Sequence, residues 1–330
     1  MASKKSIVVG LILSVLSIVA RSATTAISNG KTELKLDFYK RSCPEAEKIV
    51  RSTVDKYISS APSLAAPILR MYFHDCFVRG CDGSVLLNST NKDAEKDAIP
   101  NLSLRGFQVI DAAKADLEKQ CPGVVSCADI LALVTRDAVD MIGGPVWRVP
   151  MGRRDGVISL KKDTLTNLPS PSASLEQLKS SFIKKGLNVK DLVVLSGAHT
   201  IGTSHCGPFA TRISKPTDPS LAESYANKLR IKCKPGDNKS LVEMDPGSFR
   251  TFDNHYYINL RRKRGLFASD AALVTDAEAN SFINSALASS SSNSTSWFFT
   301  EFGRSMEKMG TIDILTGNAG QVRRHCALVN

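Results

Sequence analysis

The chain has 330 residues, 42% of them hydrophobic and 23% charged, with a formal net charge of +11. That is enough apolar material for a sizeable core, in one large domain or two packed lobes. A cationic chain suits nucleic acid, an acidic membrane surface or an acidic polysaccharide. Lys and Arg are dispersed and no nucleic-acid motif occurs, which excludes the first; no apolar run beyond the N-terminus is long enough for a membrane helix.

At the N-terminus Lys4 and Lys5 precede the apolar stretch Ile7–Ala20, and small residues follow. This is the layout of a secretory signal peptide, with cleavage between Ala20 and Ile27. The expected organisation is therefore a leader over 1–26 and one domain over 27–330. Losing Lys4, Lys5 and Arg21 leaves a charge of about +8. Eight cysteines behind a leader argue for disulfides, although spacing alone leaves their pairing open; Cys76 and Cys81 are close enough to close a small loop. Sequons at Asn88, Asn101, Asn238 and Asn293 fit a secreted glycoprotein.

Helical periodicity dominates. The segment Leu64–Asp75 reads as a helix if Pro67 lies in its first turn. Phe107, Ile110, Ala113 and Leu117 mark a second helix face. Ser126 and Asp129 resemble a capping box before Ile130, Leu133 and Val134. Gly143-Gly144-Pro145 and Asn167–Pro171 read as loops, with a weak lobe boundary near Pro169–Ser174. Leu175, Leu178 and Phe182 mark another helix. Arg261–Arg264 reads as a solvated helix end, and Ser289–Ser296 as a surface loop. Strand patterns are few and short, so the fold class is mainly α.

Chemistry concentrates in three segments. In the first, Arg70 and His74 share one helix face. A guanidinium beside an imidazole lowers its pKa, leaving a neutral base that can take a proton; the alternative is a partly exposed helix face. Asp75 and Asp82 then flank a Gly-rich turn, where the carbonyls of Val78 and Gly80 and the hydroxyl of Ser84 add hard oxygen donors suited to Ca²⁺. Zinc through His74, Cys76 and Cys81 is the competing reading, weakened by an oxidising compartment. In the second, His199 follows the apolar run Leu192–Leu195, as a ligand or as a buried structural residue. Ser196-Gly197 makes no G-x-S-x-G elbow, which disfavours a serine hydrolase. In the third, Asp245 and Asp253 bracket a turn rich in hydroxyls, a second oxygen cluster or a helix cap. Asp270 is placed to support a ligating histidine or to cap a helix.

Together these segments resemble the class III secretory plant peroxidases, over roughly Leu34–Asn330. The resemblance rests on Arg70-x-x-x-His74-Asp75-Cys76, Cys81-Asp82-Gly83-Ser84, Ser196-Gly197-Ala198-His199-Thr200 and the order of the cysteines. It implies a two-lobed, mainly helical fold with haem b between distal and proximal lobes. It implies the disulfides Cys43–Cys121, Cys76–Cys81, Cys127–Cys326 and Cys206–Cys233, a buried Asp129–Arg153 ion pair, and two Ca²⁺ sites. The distal site uses Asp75, Val78, Gly80, Asp82 and Ser84; the proximal site uses Thr200, Asp245, Ser248, Thr251 and Asp253. His199 is the axial iron ligand and Asp270 accepts its other ring N–H. His74 moves the peroxide proton, Asn101 orients His74, and Arg70 stabilises developing charge. The Pro169 carbonyl helps place phenolic donors.

The resemblance also implies that Asn101 is buried and free of glycan despite its sequon. It departs from many relatives at Tyr72, where they have His, and from some at Leu104 and Pro67, where they place haem-propionate hydroxyls, and at His205, where they have Gln. The expected setting is secretion to the apoplast and cell wall. There the cationic protein is retained on acidic polysaccharide, as a monomer, with no membrane contact once the leader is removed. Only four residues follow Cys326, too few for a long vacuolar extension. A non-catalytic Ca²⁺-bearing wall glycoprotein and a zinc hydrolase are the competing classes.

Overall fold

The computed structural model describes residues 33–288 and 294–330. The expected leader and Asn293 lie outside them. Thirteen α-helices occur among the described residues: α1 (Ala46–Ser60), α2 (Ala65–Val78), α3 (Phe107–Gln120), α4 (Cys127–Met141), α5 (Lys161–Asn167), α6 (Leu175–Lys184), α7 (Val189–Ser196), α8 (Ala210–Ile213), α9 (Glu223–Lys232), α10 (His255–Arg261), α11 (Ala268–Ala272), α12 (Ala277–Ala288) and α13 (Ser294–Met309). The strands β1 (Thr203–His205) and β2 (Leu241–Glu243) pair antiparallel, with Ser204 opposite Val242. The mainly α expectation holds.

Pro67 is the third residue of α2, where its missing N–H has no helical partner to lose. From Ile68 onward α2 is largely buried and packs on α4, which also contacts α1 and α3. The α4 N-terminus differs in detail from the expected capping box. Ser126 Oγ accepts from the Asp129 N–H at 3.1 Å, but the Asp129 carboxylate does not return to Ser126. It accepts from Arg153 Nη1 at 2.8 Å, Gly152 N–H at 2.7 Å and Tyr39 OH at 2.8 Å. A buried charge partner outcompetes the local cap.

The main core runs from Tyr39 to Cys326 and includes Ala173 in the loop between α5 and α6, so it continues across the expected boundary. A second, smaller cluster gathers Phe209, Leu221, Tyr225, Leu229, Val242 and Leu266 around the Cys206–Cys233 disulfide. In the main core Phe252 stacks on Phe298 and meets Phe302 edge-on, and Tyr257 OH donates to the Val193 carbonyl, which fixes α10 and α13 against α7. The Ser-rich stretch expected to loop already enters α13 at Ser294. Arg261 ends α10, and Arg262 and Lys263 are exposed.

Candidate active site

His74 lies in the interior of α2, with Arg70 one turn before it. The His74 ring is buried, and its Nδ1–H donates to Asn101 Oδ1 at 2.5 Å. Asn101 Nδ2 donates in turn to the Glu95 carbonyl at 2.8 Å. Burial, and then the Arg70 charge, pull the His74 pKa down to about 3 against the lift from Asn101. With Nδ1 committed, Nε2 is the free acceptor. Arg70 donates from Nη1 to Ser103 Oγ at 2.9 Å and from Nη2 to the Pro100 carbonyl at 2.5 Å. Burial lowers its guanidinium pKa to about 10, and no carboxylate pairs with it among the described residues.

His199 lies in the 3₁₀ turn Gly197–Thr200 that follows α7. Its Nδ1–H donates to Asp270 Oδ1 at 2.7 Å. The same carboxylate accepts from Tyr256 OH at 3.0 Å and from the Phe267 N–H at 2.8 Å. Burial raises the Asp270 pKa, but His199 and these donors hold it below the usual range. Asp270 thus caps α11 and orients His199 at once, so the two expectations for it coexist. The His199 ring also packs edge-on against Phe267, at 5.4 Å.

Behind each histidine is a knot of oxygens. Asp75 immediately follows His74; with Asp82, Ser84 and Glu95 it forms a buried group. Burial, and then Asp82, hold the Asp75 carboxyl well above its usual range; burial likewise raises Asp82, and it lifts Glu95 to about 9. Ser84 Oγ and both Glu95 carboxylate oxygens have no hydrogen-bond partner among the described residues. The turn needs glycine at Gly80, where φ is +97° and a Cβ would lie 2.4 Å from the Asp313 carbonyl. Arg323, fully buried, closes the turn from the C-terminal segment by donating to the Gly83 carbonyl at 2.6 Å.

Thr200, next to His199, anchors the second knot. Its Oγ1 lies 3.1 Å from Asp245 Oδ2, 3.1 Å from Asp253 Oδ1 and 3.5 Å from the Thr251 carbonyl. One hydroxyl hydrogen cannot serve three acceptors. Ser248 Oγ donates to Asp253 Oδ2 at 2.5 Å. Burial raises Asp245 to about 6, although the ring of His255 lies 2.8 Å from its Oδ1.

The four disulfides are Cys43–Cys121, Cys76–Cys81, Cys127–Cys326 and Cys206–Cys233, the pairs that the resemblance implies. With Cys76 and Cys81 bonded to each other, the zinc reading loses both its sulfur ligands. Asp129 and Arg153 are joined and buried. Pro169 is half-buried in the loop between α5 and α6.

A description of the family "Peroxidase" matches residues 50–289. The chain belongs to the peroxidase family. It is 54% identical to Peroxidase 3 of Arabidopsis thaliana over 307 residues, covering 91% of this chain and 93% of that protein. It is 52% identical to Peroxidase 56 of the same plant, and 48% identical to Peroxidase 1 of Oryza sativa subsp. japonica over 93% of this chain and 96% of the relative. It is a class III plant peroxidase, which reduces hydrogen peroxide, oxidises a donor, and takes haem b and two Ca²⁺ ions.

The residues of this peroxidase fit those groups. The first knot sets buried Asp75 and Asp82 near the Ser84 hydroxyl, with Glu95 alongside; the second sets Asp245 and Asp253 around the Thr200 and Ser248 hydroxyls and the Thr251 carbonyl. That is a hard donor set suited to Ca²⁺. The Ser84 Oγ without a partner and the raised aspartates fit a cation at the first, as the crowded Thr200 hydroxyl does at the second. His199, with Nδ1 tied to a carboxylate, offers Nε2 to iron in the manner of a metal-bound histidine.

Sequence reasoning missed Glu95, Ser103, Tyr256, His255 and Asn259. Asn259 Nδ2 donates to Asp245 Oδ1 at 2.5 Å. Glu95 sits in the charged run Lys92–Asp97, which gives no signal of burial. His255 follows Asp253 by two residues and was the one legible hint.

Proposed function

We propose that this peroxidase acts outside the cell, in the wall, where it consumes hydrogen peroxide and oxidises phenolic donors. The single observation behind the site assignment is the pair of imidazoles, His74 on Asn101 and His199 on Asp270. Each has Nδ1 tied by its own acceptor, which leaves each Nε2 for a partner. Residues 1–26 serve as the leader and 27–330 form the enzyme.

Haem b, when bound, supplies the redox-active iron that reduces peroxide and oxidises donors one electron at a time. His199 Nε2 would hold that iron, and Asp270 accepts its Nδ1 proton, which makes the ring a stronger ligand. His74 Nε2 takes one peroxide proton and returns it to the departing oxygen as water. Asn101 keeps the His74 tautomer fixed. The Arg70 guanidinium stabilises negative charge on the departing oxygen. The distal Ca²⁺ would be held by Asp75, Val78, Gly80, Asp82 and Ser84, and the proximal one by Thr200, Asp245, Ser248, Thr251 and Asp253. Pro169 would accept from a phenolic hydroxyl.

The positive charge supports retention on acidic wall polysaccharide by a monomer, tested by salt elution from walls and by sedimentation. The site assignment is tested by the His74→Ala variant of the haem-loaded protein. It should keep its Soret band and lose about 10² to 10⁴ in the peroxide rate; an unchanged rate would remove His74 from the mechanism.

A further inference from the structure

We propose that Ser103 is a positioning residue for the peroxide step, because its hydroxyl fixes the guanidinium of Arg70. The inference rests on the role given to Arg70 above. Arg70 donates to Ser103 Oγ at 2.9 Å and to the Pro100 carbonyl at 2.5 Å. A guanidinium held at one nitrogen can swing about that contact; held at two, its plane is fixed. With no carboxylate beside it among the described residues, Arg70 depends on these two neutral oxygens for its orientation. Removing one leaves a partly buried charged donor unsatisfied.

The acceptors sit on a stiff support. Pro100 and Asn101 belong to the 3₁₀ turn Ile99–Asn101, in which Asn101 N–H donates to the Ala98 carbonyl; Leu104 N–H then donates back to the Asn101 carbonyl. Between those anchors, Asn101 holds His74 and Ser103 holds Arg70. One segment, Pro100–Ser103, therefore sets both the proton acceptor and the cation that act on peroxide. The tripeptide Asn101-Leu102-Ser103 reads as a sequon, yet in the folded protein its polar side chains are both committed to α2.

The test uses haem-loaded protein carrying Ser103→Ala, Ser103→Thr, Arg70→Leu and the double change Arg70→Leu with Ser103→Ala. Ser103→Gly, which also lacks the hydroxyl, stands in if the Ala variant folds poorly. Two quantities are measured: the second-order rate with peroxide by stopped flow, and the affinity of the resting protein for fluoride by optical titration. Fluoride is a small anion that the Arg70 charge would stabilise. Loss of the Ser103 hydroxyl should weaken both about tenfold, the scale of one hydrogen bond to a charged group. Donor oxidation at saturating peroxide should not change. Ser103→Thr should restore both to within about twofold, and Ser103→Ala should cost nothing further in the Arg70→Leu background. The proposal is overturned if Ser103→Ala matches the parent while Arg70→Leu does not. It is equally overturned if the Ala change costs as much with Arg70 gone, or if Thr fails to rescue. If Arg70→Leu itself changes neither quantity, the role of Arg70 fails first, and that of Ser103 falls with it.

Discussion

If His74 accepts the peroxide proton, the peroxide rate must follow its neutral form, and pH is the perturbation that reads this. An imidazole with an ordinary pKa near 6.5 is only ~3% neutral at pH 5, so its rate would fall roughly thirtyfold from pH 8 to pH 5. Burial and Arg70 hold His74 at about 3. At that value the ring is ~99% neutral at pH 5, and the rate should stay flat to pH 5 and halve near pH 3. Since the folded value is depressed, protonation is lost early on raising pH and matters only at the acid end. The assay is stopped flow at the Soret band, with pH jumped during mixing so that the protein is briefly exposed to acid. Arg70→Leu removes the second cause and leaves burial. Its midpoint should rise from about 3 yet stay below 6.5. A parent rate that drops tenfold between pH 7 and pH 5, with the protein still folded, would refute the argument.

Asp270→Ala should free the His199 ring, weaken haem retention and shift the resting visible spectrum, because the carboxylate both orients the ring and strengthens it as a ligand. Chelating Ca²⁺ should lower the thermal midpoint and loosen His74 and His199 together, with recovery on adding Ca²⁺ back; calorimetry and the Soret band report the two effects. Asp129→Asn leaves Arg153 buried without its charge partner and should cost about 3 to 5 kcal/mol in guanidinium unfolding. Glycopeptide mapping should find Asn101 unmodified, because its side chain is buried and bonded to both His74 and the Glu95 carbonyl.

The helices of the site were legible because their signals are local. Arg70 and His74 fall one turn apart, Pro67 falls where a helix tolerates it, and Leu175, Leu178 and Phe182 fall on one face of α6. What stayed hidden depends on residues distant in sequence. Glu95 reads as one acid in a solvated run, yet it is buried in a turn that packs against α5 and the Ser84 turn. Ser126 and Asp129 form half of the expected capping box, because Arg153 takes the Asp129 carboxylate. The stretch 294–296 looks like loop by composition, yet packing of Phe298 and Phe302 draws the helix back to Ser294. The pairing of cysteines came from resemblance, since spacing cannot order partners as far apart as Cys127 and Cys326, separated by 199 positions.

That long span bears on the order of synthesis. Arg323 donates its backbone N–H to Asp155 at 2.8 Å and its side chain to the Gly83 carbonyl, and Cys326 bonds the first residue of α4. The residues that brace the turn beside His74 thus leave the ribosome after α13. Cys76 and Cys81 can join while the chain is still growing, but the turn they close is not braced until translation of that segment is over. Emergence of the 323–326 segment, rather than of the helices, therefore completes the brace behind the pocket.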